Sequence, residues 1–341
     1  MNQKVFVLLV TSFLLLKAVA QKGFLKPDAR GRAHLIYHPN SKAMLLIDGY
    51  AVHADSTNNN VWKWDGKKWE AIIADGPGSR CGNAAALNKN TGNILTFGGW
   101  GKGGFATDAR NDVWLFDGKQ WKNVFTNFIE KHDHHKMVYA DHLNAFVIYG
   151  GRNSTTGIPD SITWILKDGF FEALAIPGPG RRGNAGFAYD PLRKKIVLFG
   201  GKGYDVPADL WEFDGKKWEQ VPVENIGMTT GQEMVYSEEL KMTIVHGNTG
   251  TWGWDGKTMT KIASGGPAGS NVALGYDPAR KSILAYGGFE ENNTISSSLW
   301  ELKNGKWKKV SENGIWKQVS KNKYERINGS DKNRKNNNLN N

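Results

Sequence analysis

A single cysteine, Cys81, in 341 residues leaves no disulfide framework to organise the chain. Past residue 20 there is no apolar run near the roughly 18–20 residues that a membrane-spanning helix requires. Proline is sparse, at 11 residues, whereas glycine reaches 41 and aromatics 11%. That balance argues against long helices and for many short strands joined by tight turns. Positive charge is scarcer than the formal net of +11 suggests, because eleven Lys and Arg against three Asp and Glu lie in residues 303–341. With Lys4 and Lys17 set aside, residues 21–302 carry about +1, so a nucleic-acid-binding body is not expected. Residues 311–341 form a basic extension whose Asn/Lys-rich end reads as a solvated tail or an electrostatic tether to an acidic surface. With 40% hydrophobic residues, the rest is rich enough to bury a core.

Lys4, the apolar run Val5 to Leu16 and Ala18-Val19-Ala20 before Gln21 have the form of a secretory signal peptide over residues 1–20. The expected product is secreted or periplasmic, with no membrane span, and monomeric. Cys81 is then an unpaired thiol in an oxidising compartment, read as a small half-buried residue.

What the sequence has in quantity is self-similarity. Apolar runs ending in glycine recur at residues 45–49, 95–99, 147–151, 197–201, 243–247 and 284–288, with final glycines 50, 52, 50, 46 and 41 residues apart. Each is followed by a loop and a tryptophan: Trp62, Trp114, Trp164, Trp211, Trp252 or Trp300. Seven residues further stands Trp69, Trp121, Phe171, Trp218, Met259 or Trp307. Between the two members lies Asp-Gly, or Asn-Gly in the last copy, a dipeptide that supplies positive φ at a hairpin turn. Another strand precedes each glycine run, as in residues 182–191 and 269–278. Each copy is therefore four short strands, A to D. Such a unit cannot bury both faces alone, so the copies stack face to face and close into a ring. The expectation is an all-β fold, a six-bladed β-propeller of four-stranded antiparallel blades, over residues 21–310.

The double glycine, the Trp closing the third strand, the Trp in the fourth and an Arg opening the first resemble the kelch repeat across residues 24–310. Blades 1 and 5 depart from it with Asp48-Gly49 and His246-Gly247. Every unit owns all four strands, although kelch-type rings often complete one blade from both termini. Residues 314–327 repeat the fourth-strand pattern twice and predict an outer hairpin.

Alternating strand direction puts the B–C and D–A loops on one face. The distance from final glycine to Trp varies as 13, 15, 13, 10, 5 and 12 residues, which marks that face as the binding surface. Seventeen residues before the residue that precedes each glycine pair stand Arg30, Arg80, His132, Arg182, Thr229 and Gly269. If strand A is innermost, as the resemblance implies, these groups ring the channel mouth, with Arg32, His134, Asn184 and Asn271 two residues further in. Together they could cradle a carboxylate, or the opening Arg could simply bond neighbouring backbone. Trp100 and Phe105 add aromatics on a glycine frame suited to sugar or peptide contact. In His132-Asp133-His134-His135, strand alternation would point His132 and His134 one way and the other two the opposite way, too few for a metal site alone.

These features predict a module that binds a protein or an acidic glycan or sugar acid through the loop face, with no catalytic residue, metal or cofactor called for. The resemblance also implies an alternative, a carbohydrate-active propeller. Exported kelch-like proteins include a sialic-acid mutarotase, for which Glu233 is a weak acid/base candidate. They also include a copper-radical galactose oxidase, whose Cys–Tyr cross-link would fall to Cys81.

Overall fold

The second strand of each unit is mostly apolar because both of its faces are covered, and in the fourth the leading bulky residue is the one turned inside. Thus Ala43–Ile47, Ile94–Phe97 and Ala145–Tyr149 are buried throughout, whereas Trp121–Val124 and Trp218–Val221 bury their Trp and expose the next two residues. The computed structural model describes residues 26–51, 61–101, 104, 107–124, 130–203, 207–290 and 294–312, and the backbone of 315–320 and 323–327. Six four-stranded antiparallel sheets are the blades, each taking its strands in chain order, and a seventh four-stranded sheet joins the B–C loop of the last blade to the C-terminal hairpin. Blade 1, for example, runs His34–His38, Ala43–Ile47, Val61–Trp64 and Trp69–Ile72. The chain is a six-bladed β-propeller.

Six buried clusters are the six interfaces between successive blades. The cluster joining blade 6 to blade 1 packs Tyr286, Leu284 and Leu299 against Leu35, Met44, Trp64 and Trp69. Closure is therefore by face packing, and among the described residues no blade takes strands from both ends. A backbone stitch of one kind reinforces five of the six junctions. The second glycine of a pair donates its N–H to the carbonyl of the next blade's opening residue: Gly49 to Arg80 at 3.0 Å, Gly99 to His132 at 2.8 Å, Gly151 to Arg182 at 2.8 Å, and Gly201 to Thr229 at 2.6 Å. Gly288 to Arg30, at 3.0 Å, closes the ring in the same way. Here the double glycine has its physical reason. Both members of the Gly98-Gly99 pair have positive φ, and a Cβ on Gly98 would lie 2.6 Å from the His132 carbonyl oxygen.

The C–D turns come in two forms. In blades 3 and 6, Asp168-Gly169 and Asn304-Gly305 have positive φ at both residues and form two-residue turns. In blades 1, 2, 4 and 5 the turn has four residues, and the Asp carboxylate accepts the N–H groups two and three residues on. The C-terminal hairpin, Ile315–Ser320 with Lys323–Ile327, does not extend the outer strand of blade 6. It pairs with Thr294–Ser296 in that blade's B–C loop and so builds up the loop face.

Candidate functional site

The opening residues turn into the blades. Arg80 donates to the Gly98 carbonyl at 3.0 Å and to both Asp112 oxygens at 2.9 and 3.0 Å. Arg182 repeats this with the Gly200 carbonyl at 3.0 Å and Asp209 at 2.6 Å. The same carboxylates accept Trp114 Nε1 and Trp211 Nε1, each at 2.6 Å, so Arg, Asp and Trp lock the B–C loop to strand A. His132 substitutes for Arg in blade 3, with Nε2 3.2 Å from the Gly150 carbonyl and 3.6 Å from Asp160. Burial holds its pKa below the ordinary value, so the neutral ring donates from Nε2. Arg30 bonds the Asp48 carbonyl and pairs with Asp28. All four are buried and bound to the scaffold.

The next layer reaches the channel. Arg32, Gly82, His134, Asn184, Gly231 and Asn271, one per blade, all have positive φ. This break in the strand removes the side-chain alternation expected through residues 132–135. Instead His134 Nδ1 bonds the adjacent Asp133 carboxylate, while the His132 and His135 rings meet edge to face at 5.4 Å. Backbone bonds run from blade to blade around this collar: Arg32 N–H to Asn271 O at 2.9 Å, His134 to Gly82 at 2.6 Å, Asn184 to His134 at 3.0 Å and Asn271 to Gly231 at 2.7 Å. Arg32, His134, Asn184 and Asn271 thus surround one neck, of about 20 Å³. That is room for a single water, so any larger ligand must lie above it.

Three charged groups line the neck: Lys136 and Glu233, which pair with each other, and Arg32. Its guanidinium stands 5.5 Å from the Phe289 ring centroid, its Nη1 lies 3.9 Å from Cys81 Sγ, and its buried Nε has no hydrogen-bond partner. Among the described residues no carboxylate pairs with it. His134 is kept neutral by burial and by the nearby Arg32, although Asp133 pulls the other way. Asp133 itself is held at about 2, despite its burial, by His134, Ser154 and Arg152. Cys81 is buried with its thiol pKa raised by desolvation, so it is unreactive.

The residue after each glycine pair completes the face. Reciprocal backbone bonds clamp Trp100 to Cys81, Lys202 to Gly183 and Phe289 to Ser270. Residues 50–51 and 152–153 pair equivalently with residues 30–31 and 132–133. In blades 6, 1 and 2 these positions hold Phe289, Tyr50 and Trp100, with ring centroids 6.2 and 6.3 Å apart in that order. In blades 3 and 4 they hold Arg152 and the exposed Lys202. The face is an aromatic arc opposite Lys202 and Arg152, the latter paired with Asp133 at 2.8 Å, with Arg32 at the centre. Tyr50, Arg152, Lys202 and Phe289 were not singled out from sequence, although their fixed position after each glycine pair was readable. Phe105 lies outside the described residues.

At the lower end of the neck, Lys136 Nζ donates to both Glu233 oxygens at 2.6 and 2.7 Å. Burial raises the Glu233 pKa against the pull of Lys136, and the two carboxylate oxygens are engaged by that lysine. Among the described residues no three His, Cys, Asp or Glu side chains converge as a metal site requires.

The solved structure of YjhT is similar to this chain, with a TM-score of 0.64 at 14% identity over 84% of this chain and 99% of that one. At such identity the likeness is one of fold. No protein-family model matches the sequence, and no curated protein matches it either.

Proposed function

We propose that the chain is an exported, kelch-type binding module whose loop face holds an acidic glycan or sugar acid. The carrying observation is Arg32, a guanidinium at the channel neck with no carboxylate partner among the described residues, flanked by the Phe289–Tyr50–Trp100 arc. An unpaired guanidinium favours a carboxylate in two-point contact, and flat aromatic side chains favour the apolar face of a sugar ring. Lys202 adds charge on the far side, which suits a ligand longer than one residue. The arc makes a glycan the preferred ligand over an acidic protein loop. Catalysis by Glu233 has less support, since Lys136 already engages both of its oxygens.

Calorimetric titration with oligogalacturonate and its methyl ester tests this reading. The acid should bind and the ester should not; Arg32→Gln and Trp100→Ala should each weaken binding about tenfold or more, at unchanged melting temperature. Equal binding of acid and ester, or indifference to both substitutions, refutes it, and binding confined to acidic peptides moves the ligand class to protein.

A further inference from the structure

The channel on the opposite side of the Lys136–Glu233 pair is a separate compartment. Its layers follow the strand register. Four residues after the opening positions stand His34, Lys136 and Glu233 in blades 1, 3 and 5, against Ala84, Gly186 and Ala273 in blades 2, 4 and 6. Lys136 and Glu233 pair across the space that the small residues leave, His34 holds the Asn83 carbonyl at 3.2 Å, and the three floor the channel. Two residues on, Ile36, Val138 and Val235 alternate with Ala86, Ala188 and Gly275 and form an apolar wall. One residue further, the ring is Tyr37, Leu87, Tyr139, Tyr189, Tyr236 and Tyr276. The hydroxyls of Tyr139 and Tyr189 are taken by turn residues, Asn90 and Asn144 for the first and His142 for the second; the Tyr139 ring packs on Phe146 and the Tyr189 ring on His142, and both residues line the channel. The cavity so enclosed has a volume of about 290 Å³. Across its mouth Lys89 reaches Glu238 of the opposite blade at 3.8 Å, an exposed pair that salt would screen.

We infer that this compartment is a second binding site, for an uncharged molecule with one aromatic ring and a hydroxyl group. The volume lies at the lower end of ligand pockets and admits a single ring system. The wall and the tyrosine rim offer apolar and edge-to-face contact. At the floor the Lys136 and Glu233 charges cancel, so a charged guest would lose its hydration without gaining a counter-ion. A hydroxyl, by contrast, can accept from the remaining ammonium hydrogen and donate to a carboxylate lone pair.

Titration of the full chain with 4-methylphenol, 4-hydroxybenzoate and toluene tests the assignment, with Trp100→Ala as a loop-face control. The phenol should bind one to one, at least tenfold more tightly than either comparator, and Trp100→Ala should leave it unchanged. Val138→Phe, which fills the wall, should weaken it at least tenfold; if that variant does not fold, Leu87→Trp, which narrows the mouth, should do the same. Absence of saturable phenol binding at millimolar concentration, equal binding of the benzoate, or indifference to both cavity substitutions overturns the inference.

Discussion

Arg182 and Arg80 make the same bonds in different surroundings, and the difference is measurable. Asp209, the partner of Arg182, is 8% exposed, whereas Asp112, the partner of Arg80, is 32% exposed. Removing Arg182 strands a buried charge, so Arg182→Ala should cost about 3–5 kcal/mol in urea unfolding. Arg80→Ala should cost less, about 1–3 kcal/mol, because water can reach Asp112; the reverse order would contradict this account. His246 provides a second test. It is buried between Thr251 Oγ1 at 2.8 Å and the Pro267 carbonyl at 3.3 Å, and burial lowers its pKa to about 4. Between the ordinary value of 6.5 and about 4, the unfolded chain binds a proton here that the folded chain refuses. Stability from this residue is therefore complete above pH 6.5 and declines as the pH falls through that window, by roughly 2 kcal/mol at pH 5. Urea midpoints at pH 7.5 and 5 should show a loss, and His246→Asn should shrink it by about 2 kcal/mol, the rest coming from other buried histidines such as His132 and His134. At this scale the sequence placed the opening Arg correctly in register but left its role open. Register fixes where a side chain starts, and its partners Asp112 and Asp209 lie 32 and 27 residues away, in loops of unreadable course.

Among the elements, the C–D turns were the most legible, since Asp-Gly and Asn-Gly at fixed distance from two bulky residues leave little but a hairpin. What the dipeptide did not reveal is that it serves two turn types. In the four-residue form the Asp side chain does the work: Asp255 accepts from the N–H groups of Lys257 and Thr258, both at 2.7 Å. Asp255→Ala should cost about 1 kcal/mol, whereas Asp168→Asn, in a turn that needs only positive φ, should be neutral within about 0.5 kcal/mol. Equal losses in thermal unfolding would show that the two forms do not differ. The stretch His132 to His135 was misread because strand alternation assumes extended backbone, and His134 at φ 58° breaks it. A collar residue of this conformation is recognisable only when its counterparts are aligned: two are glycine and two are asparagine, the residues that tolerate it best.

For the whole molecule, six repeats of nearly constant spacing made the ring and its blade number readable before any coordinates. Its closure was not, because packing between the first and last blades leaves no pattern in either. Since Trp69 and Tyr286 meet edge to face at 5.5 Å and the Gly288 stitch repeats those of the other junctions, the ring needs nothing beyond blade 6. A chain ending at Glu312 should unfold in one cooperative transition with a midpoint close to that of the full chain, and a second transition or a collapse in stability would show that the hairpin over the loop face holds the ring together. The loop face was legible as the variable side, while its aromatic arc, with Arg152 and Lys202 opposite, emerged only once residues after successive glycine pairs stood side by side. The most direct measurement is a crystal structure with a bound sugar acid. The account predicts a carboxylate within about 3.2 Å of the Arg32 guanidinium and a sugar ring against Trp100 or Tyr50; a carboxylate held elsewhere, or a ligand that leaves Arg32 untouched, would contradict it.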